Sequence, residues 1–406
     1  MVGDLWEIKE HIISASYRRA LPRGVKDESA RLRLHVKQWI PKANSSPQSG
    51  DATIIFAHGV GSSKESYEVF FHHLIRYHPR IRSIFAMDAA NHGQSYMLNK
   101  EVLGDEPGWH DTARDILQMV NSFQDEMRPP ILGVAQSWGG QCLLMASEMH
   151  PRLFDGLVLI EPPVGMDFKS GLAIKASWMM HRADWWPTRE TARENLLKLK
   201  YYRRFDPQVF DRVMQYDLRD VTIDNPPPSE LGVDPTSSTG VTLTTPKAQE
   251  AYTVVMDHLD LPGHVSVPPA KANSVVKVIP GFYRPEFLSV QRLLPTVFPP
   301  VLYIWGELSD LLRPPGGAAY RDYLLQTTGA SDAGSGGIAR GKVAEAWVKG
   351  STHTIPFEKP EGLAKALIPW LEQRHNAWLE EQVRNEKQVF YTAKIKPNWL
   401  SKVNKL

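Results

Sequence analysis

Cysteine is almost absent: one residue, Cys142, in a chain of 406. A lone thiol excludes an intramolecular disulfide framework and suits a reducing compartment. Set in an apolar stretch, it reads as a packing residue rather than a nucleophile. Long apolar runs are also lacking. None approaches the ~20 residues that span a bilayer, so stable membrane insertion is not expected. The first ten residues carry Asp4, Glu7, Lys9 and Glu10 but no apolar block, so a secretory signal is not expected. Neither sign of charge dominates. Lys plus Arg number 47 against 45 Asp plus Glu, and a net charge of +2 gives no global field for nucleic acid. No internal repeat is visible, and neither a metal nor a cofactor is expected.

What is present suits a soluble core. Hydrophobic residues make up 42% of the chain, which argues against disorder. The length fits one large domain with an insertion, or two domains. Residues 5–19 and 31–40 read as two antiparallel strands, the second alternating polar and apolar from Arg31 to Val36. Continuous apolar runs then read as buried parallel strands: Ala52 to Ala57, Ile84 to Met87, Ile131 to Ala135, Leu157 to Ile160, Val301 to Trp305 and Lys342 to Val348. Helical spacing falls between them, at Glu68 to Tyr77, Trp109 to Phe123, Gln141 to His150, Ala318 to Leu325 and after Pro360. This alternation implies an α/β fold with a mainly parallel sheet and helices on both faces. The rhythm breaks from about Gly165. Residues 166–295 read as an inserted helical lid, rich in Trp, Met, Arg and Lys, with a Pro/Ser/Thr-rich linker over 225–246. The expected organisation is therefore a core over 1–165 and 296–373, an insertion over 166–295 and a charged extension over 374–406.

The stretch Ala135-Gln136-Ser137-Trp138-Gly139-Gly140 lies between a strand and a helix. A serine at such a turn is crowded and needs small flanking residues, here Ala135 and Gly139. The turn lifts the hydroxyl above the sheet and aims the next N–H, that of Trp138, at a substrate oxygen. A serine before Gly-Gly also serves as a helix cap, so the turn alone does not settle a role. After the first buried strand comes His58-Gly59-Val60-Gly61, and the Val60 N–H is the natural second oxyanion donor. Asp88-Ala89-Ala90-Asn91-His92 reads as a structural turn, which makes His92 a poor candidate base. Glu161 ends a buried strand, where a carboxylate is costly unless paired and where ligands gather in such sheets. Asp310 follows the next strand. His353 follows the last.

Serine, acid and histidine thus fall in that order at one sheet edge. Together with His58-Gly59-Val60-Gly61, Trp305-Gly306-Glu307, Glu358 and Pro360, this resembles the α/β-hydrolase superfamily over about residues 30–165 and 296–373. The chemistry explains the residue types. A serine hydroxyl needs a base within reach, His353 can supply it, and a carboxylate must hold the imidazole in the right tautomer. Two acids compete. Asp310 is on the strand most of the superfamily uses, one residue beyond the usual G-x-x-D spacing, and Glu161 is one strand earlier. The Trp after the serine, the acid on the next strand and the basic insertion more closely resemble fungal peroxisomal hydrolases, a group with acyl-CoA hydrolases of mycophenolic acid biosynthesis and toxin-biosynthesis hydrolases. That resemblance implies Glu161 as the acid, where the acyl-CoA hydrolase has Asp, and a Ser137–His353–Glu161 triad with Asp310 as the alternative. It also implies an acyl-CoA thioester substrate met by Lys and Arg of residues 169–204, against which stands a merely solvated helix face. A carboxylesterase or lipase with the same triad is the second reading. A non-catalytic binding protein of this fold would lack a triad member, and an epoxide hydrolase or dehalogenase would have aspartate at 137. Asn404-Lys405-Leu406 resembles the S-K-L address read by the peroxisomal import receptor, with Asn in the place of the small residue. A peroxisomal matrix location follows from it, with the cytoplasm as alternative. A homodimer through residues 374–406 is compatible with the sequence.

Overall fold

β1 (Trp6–Ser14) and β2 (Arg33–Pro41) pair antiparallel along their whole length, with Trp6 opposite Pro41 and Ser14 opposite Arg33. β3 (Ala52–Ala57), β4 (Ile81–Met87), β5 (Ile131–Gln136) and β6 (Gly156–Ile160) follow. A long insertion then intervenes. It carries β7 (Trp185–Trp186), β8 (Leu218–Thr222) and β9 (Thr239–Leu243), a small antiparallel sheet in the order β7-β9-β8, and the two-residue pair β10 (Met256–Asp257) and β11 (Phe282–Tyr283). β12 (Val301–Gly306) and β13 (Val343–Val348) complete the main sheet, whose order is β1-β2-β4-β3-β5-β6-β12-β13. All pairings from β4 to β13 are parallel. The structure, a computed structural model, describes residues 5–164, 171–222, 239–257, 282–313, 316–388, 392, 395–396 and 399–403. Asn404, Lys405 and Leu406 lie outside the described residues, as does the linker as far as 238.

Alternate residues of the apolar strands serve opposite faces, and this divides the core in two. Ile54 and Phe56 of β3, Leu132 and Val134 of β5, and Leu302 and Ile304 of β12 join one cluster. Their neighbours Ile55, Ala57, Ala135, Tyr303 and Trp305 join the other. Because the strands bury both faces, their sequence reads as an unbroken apolar run.

Three expectations change. The insertion is not purely helical: Thr239–Leu243, expected as linker, forms β9 because β7 and β8 supply its backbone partners. The core resumes before residue 296. Helix Glu286–Leu293 buries Phe287 and Val290 in the same cluster as helix Trp138–Met149, and the following Leu294 continues that stripe at i, i+3, i+7 spacing. The helix that follows Lys359 does not stop near 373. It runs from Pro360 to Asn385, burying Trp370, Leu371, Arg374 and His375, and His375 Nδ1 lies 2.9 Å from the Gly50 carbonyl oxygen. Among the described residues no helix is long and apolar enough to cross a membrane.

Candidate active site

Ser137 sits at the end of β5 with φ 54° and ψ −122°, and helix Trp138–Met149 begins at once. Its N–H donates to the Ile160 carbonyl of β6 (2.8 Å) and its carbonyl accepts from Gly140 (3.0 Å), so neighbouring strand and helix both fix the strained turn. Gly139 is required by close approach. A Cβ there would stand 2.4 Å from the Ala57 carbonyl oxygen and 2.6 Å from that of His58. The same proximity brings the nucleophile turn against the loop that follows β3. The Trp138 amide opens the helix, where an N–H has no intrahelical acceptor. Among the described residues neither it nor the Val60 amide has a hydrogen-bond acceptor.

The structure brings three sequence candidates together. His353 Nε2 lies 2.9 Å from Ser137 Oγ, and His353 Nδ1 lies 3.4 Å from Glu161 Oε2. A proton on Nδ1 leaves Nε2 free to accept from the serine. Glu161 is fully buried and also has positive φ, 52°. This backbone turn gives the longer side chain room at the end of β6. Its carboxylate accepts from the Gly306 N–H (2.7 Å) and the Ser309 hydroxyl (2.5 Å). Asp310 is elsewhere. Its side chain is 73% exposed and pairs with Arg313 at 2.8 Å. Ser309 occupies the third position after Gly306, the slot of the usual G-x-x-D spacing, and turns a hydroxyl toward Glu161. An aspartate there would place a second negative charge beside a buried one.

Several supporting groups carried no signal in the sequence. Gln136 bridges two loops: its Nε2 donates to the His353 carbonyl (3.2 Å) and its Oε1 accepts from Tyr67 (3.1 Å). Tyr67 in turn accepts the Gly59 N–H at 2.9 Å, and Ser62 Oγ stands 3.0 Å from its oxygen. Burial raises the Tyr67 phenol pKa, keeping it a neutral donor. The loop thought to hold the oxyanion donor is therefore tied to the histidine loop. Beneath it, Lys64 pairs with Asp88 (2.7 Å) and Glu65 (2.9 Å), all fully buried or nearly so. His92 stacks on Trp138 with ring centroids 5.5 Å apart, and burial, then the neighbouring His58 ring, pushes its pKa well below the ordinary value. Cys142 is buried, and burial pushes its thiol pKa well up.

Residues 54–366 match the alpha/beta hydrolase family. The chain belongs to it. Among curated proteins, type I acyl-CoA thioesterase mpaH′ of Penicillium brevicompactum is 30% identical over 428 residues, covering 98% of this chain and 95% of its own. Peroxisomal membrane protein LPX1 of Saccharomyces cerevisiae is 32% identical over 161 residues, 37% of this chain and 41% of its own. The solved structure of the peroxisomal alpha-beta-hydrolase Lpx1 from the same yeast superposes with a TM-score of 0.66 at 17% identity, covering 99% of this chain and 96% of that one. The protein is a hydrolase of the α/β-hydrolase fold.

In this hydrolase the insertion is fastened to the site by charge. Arg204 pairs with Glu358 (2.8 Å) and donates to the Gly350 carbonyl (2.9 Å), gripping the loop that carries His353. Burial raises the Glu358 pKa, but donors from Arg204, Thr352 and Thr354 outweigh it and hold the group below the usual range. Asp217 accepts from the Ser63 N–H (2.9 Å) and Ser66 Oγ (3.1 Å), capping the turn that follows the Val60 loop. Other described cations of the insertion pair with carboxylates of the insertion itself. Arg182 pairs with Glu250, Arg189 with Asp220, and Arg193 with Asp211. Lys198, Lys200 and Arg203 are exposed and have no carboxylate partner among the described residues.

Proposed function

We propose that the enzyme hydrolyses acyl-CoA thioesters through Ser137, His353 and Glu161. The observation that carries this reading is the chain of contacts from Ser137 Oγ through the His353 ring to the buried Glu161 carboxylate, 2.9 and 3.4 Å. Near full-length similarity to an acyl-CoA thioesterase supports the substrate class. In the first half-reaction Ser137 Oγ attacks the thioester carbonyl and His353 Nε2 takes its proton. The Val60 and Trp138 N–H groups bind the oxyanion. The tetrahedral species collapses, the carbon–sulfur bond breaks, and the departing thiolate takes the proton from His353. Water then gives its proton to His353 and attacks the acyl-serine, and Ser137 leaves as the hydroxyl with that proton. Glu161 holds the imidazole tautomer and stabilises its charged form. Lys198, Lys200 and Arg203, exposed and without a carboxylate partner among the described residues, meet the CoA phosphates. The C-terminal Asn404-Lys405-Leu406 is read by the peroxisomal import receptor, a reading supported by the likeness to the yeast peroxisomal protein Lpx1, and the enzyme serves fungal secondary metabolism.

Steady-state hydrolysis of a panel of acyl-CoAs beside the matching simple esters tests this. Preference for CoA thioesters is expected, with kcat lost by about 10³-fold or more in Ser137→Ala and Glu161→Ala and unchanged in Asp310→Ala. If simple esters are cut equally well and Asp310→Ala is the inactive variant, the protein is a general carboxylesterase and both substrate class and acid are misassigned.

A further inference from the structure

At the opposite end of the sheet is a cleft of about 420 Å³. Its walls come from the residues that enter β6, β12 and β13 and from helix Pro360–Asn385. Asp155 and Glu161 flank β6 at its two ends, so at ~3.3 Å per residue the cleft lies roughly 20 Å from the candidate active site. Five cations line it: Arg152, Arg340, Lys342, Arg374 and Arg384. Two carboxylates, Asp155 and Glu381, stand among them. Asp155 is engaged elsewhere, accepting the Ile131 N–H at 2.8 Å. Glu381 is exposed, and Arg384 has only a loose partner, Glu380 at 3.9 Å.

Arg374 is the informative member. It is 9% exposed, its Nε has no hydrogen-bond partner, and it makes no ion pair among the described residues. Among the described residues its guanidinium lies against the face of Trp370, 5.7 Å from the centroid. Burial alone lowers its pKa, with no carboxylate acting against it. A buried guanidinium without a counter-charge is costly, and here it lines a cavity together with four more cations. Guanidinium forks match phosphoryl oxygens in geometry as well as charge. Phe298, 49% exposed, and the half-buried Trp378 add flat apolar surface beside them. We propose that this cleft binds a small phosphate ester, its phosphoryl group held by Arg374 and Arg340 and its organic part against Trp378 and Phe298. The site is independent of the hydrolytic one.

Titration calorimetry of the full-length protein with phenyl phosphate and with inorganic pyrophosphate tests the assignment. One site is expected, with phenyl phosphate binding weakened about tenfold or more in each of Arg374→Met and Arg340→Ala. Arg340 is exposed, so its variant keeps the test decisive if Arg374→Met folds poorly. Acyl-CoA turnover remains at the wild-type level in both. No binding of either probe overturns the proposal. So does equal binding by both variants, which places the phosphate at other cations such as Lys198, Lys200 and Arg203.

Discussion

Ser137 and Glu161 are the two non-glycine residues with positive φ among the described residues, and both carry proposed catalytic roles. Strain of this kind persists where surrounding bonds enforce it. For Glu161 those bonds come from Gly306 and Ser309. Ser309→Ala removes one donor from a carboxylate that keeps its place, so kcat falls about tenfold with KM unchanged. Ser309→Asp sets a like charge against Glu161 and falls further. Steady-state kinetics on one acyl-CoA check both, and an unaltered kcat in Ser309→Asp refutes Glu161 as the working acid. The serine turn was marked by its small neighbours Ala135 and Gly139, and the histidine by its place after the last strand. Ser309 was not, since a hydroxyl acting through a fold partner 148 residues away has no local mark.

At the scale of elements, buried parallel strands announce themselves by continuous apolar runs. The polar sequences of β8 and β9 do not, because their pairing is supplied from elsewhere in the chain. The short turn Lys64–Tyr67 was equally opaque. Its cap, Asp217, belongs to the insertion, and burial, partly offset by its serine donors, pushes that carboxyl up to about 7. An ordinary aspartate titrates near 3.9. Between about pH 4 and 7 the unfolded chain has lost a proton that the folded chain still holds, so stability falls as pH rises through that window. Asp217→Asn keeps an acceptor for Ser63 and does not titrate. Relative to wild type it gains about 2–4 kcal/mol between pH 4.5 and 7.5 in urea unfolding. A difference that does not change with pH removes Asp217 as the titrating group.

For the whole molecule, a near-neutral charge balance conceals how much charge is buried. Lys37 of β2 pairs with Glu65 at 3.1 Å, and Lys64 pairs with both Glu65 and Asp88, joining β2, the turn and the end of β4. Lys64→Met leaves Asp88 and Glu65 without their nearest counter-charge. The expected loss is about 3–5 kcal/mol, read from chemical denaturation, and a loss under 1 kcal/mol shows the network to be dispensable. Such pairs are invisible to composition, which records charges but not partners. The break in rhythm near Gly165 follows β6, the last main-sheet strand before β12. The true return to the core near Glu286 was not legible, because an amphipathic helix looks alike in either place.

Placing the acid after β6 also orders events during synthesis. Serine and glutamate leave the ribosome early, on adjacent strands. The donors that satisfy Glu161 come 145 and 148 residues later, and His353 comes 192 residues after it. A fragment ending before β12 holds a serine with no histidine and a carboxylate without these donors, and one ending before His353 still lacks the histidine. On the proposed mechanism, hydrolysis waits until His353 has been made, late in translation.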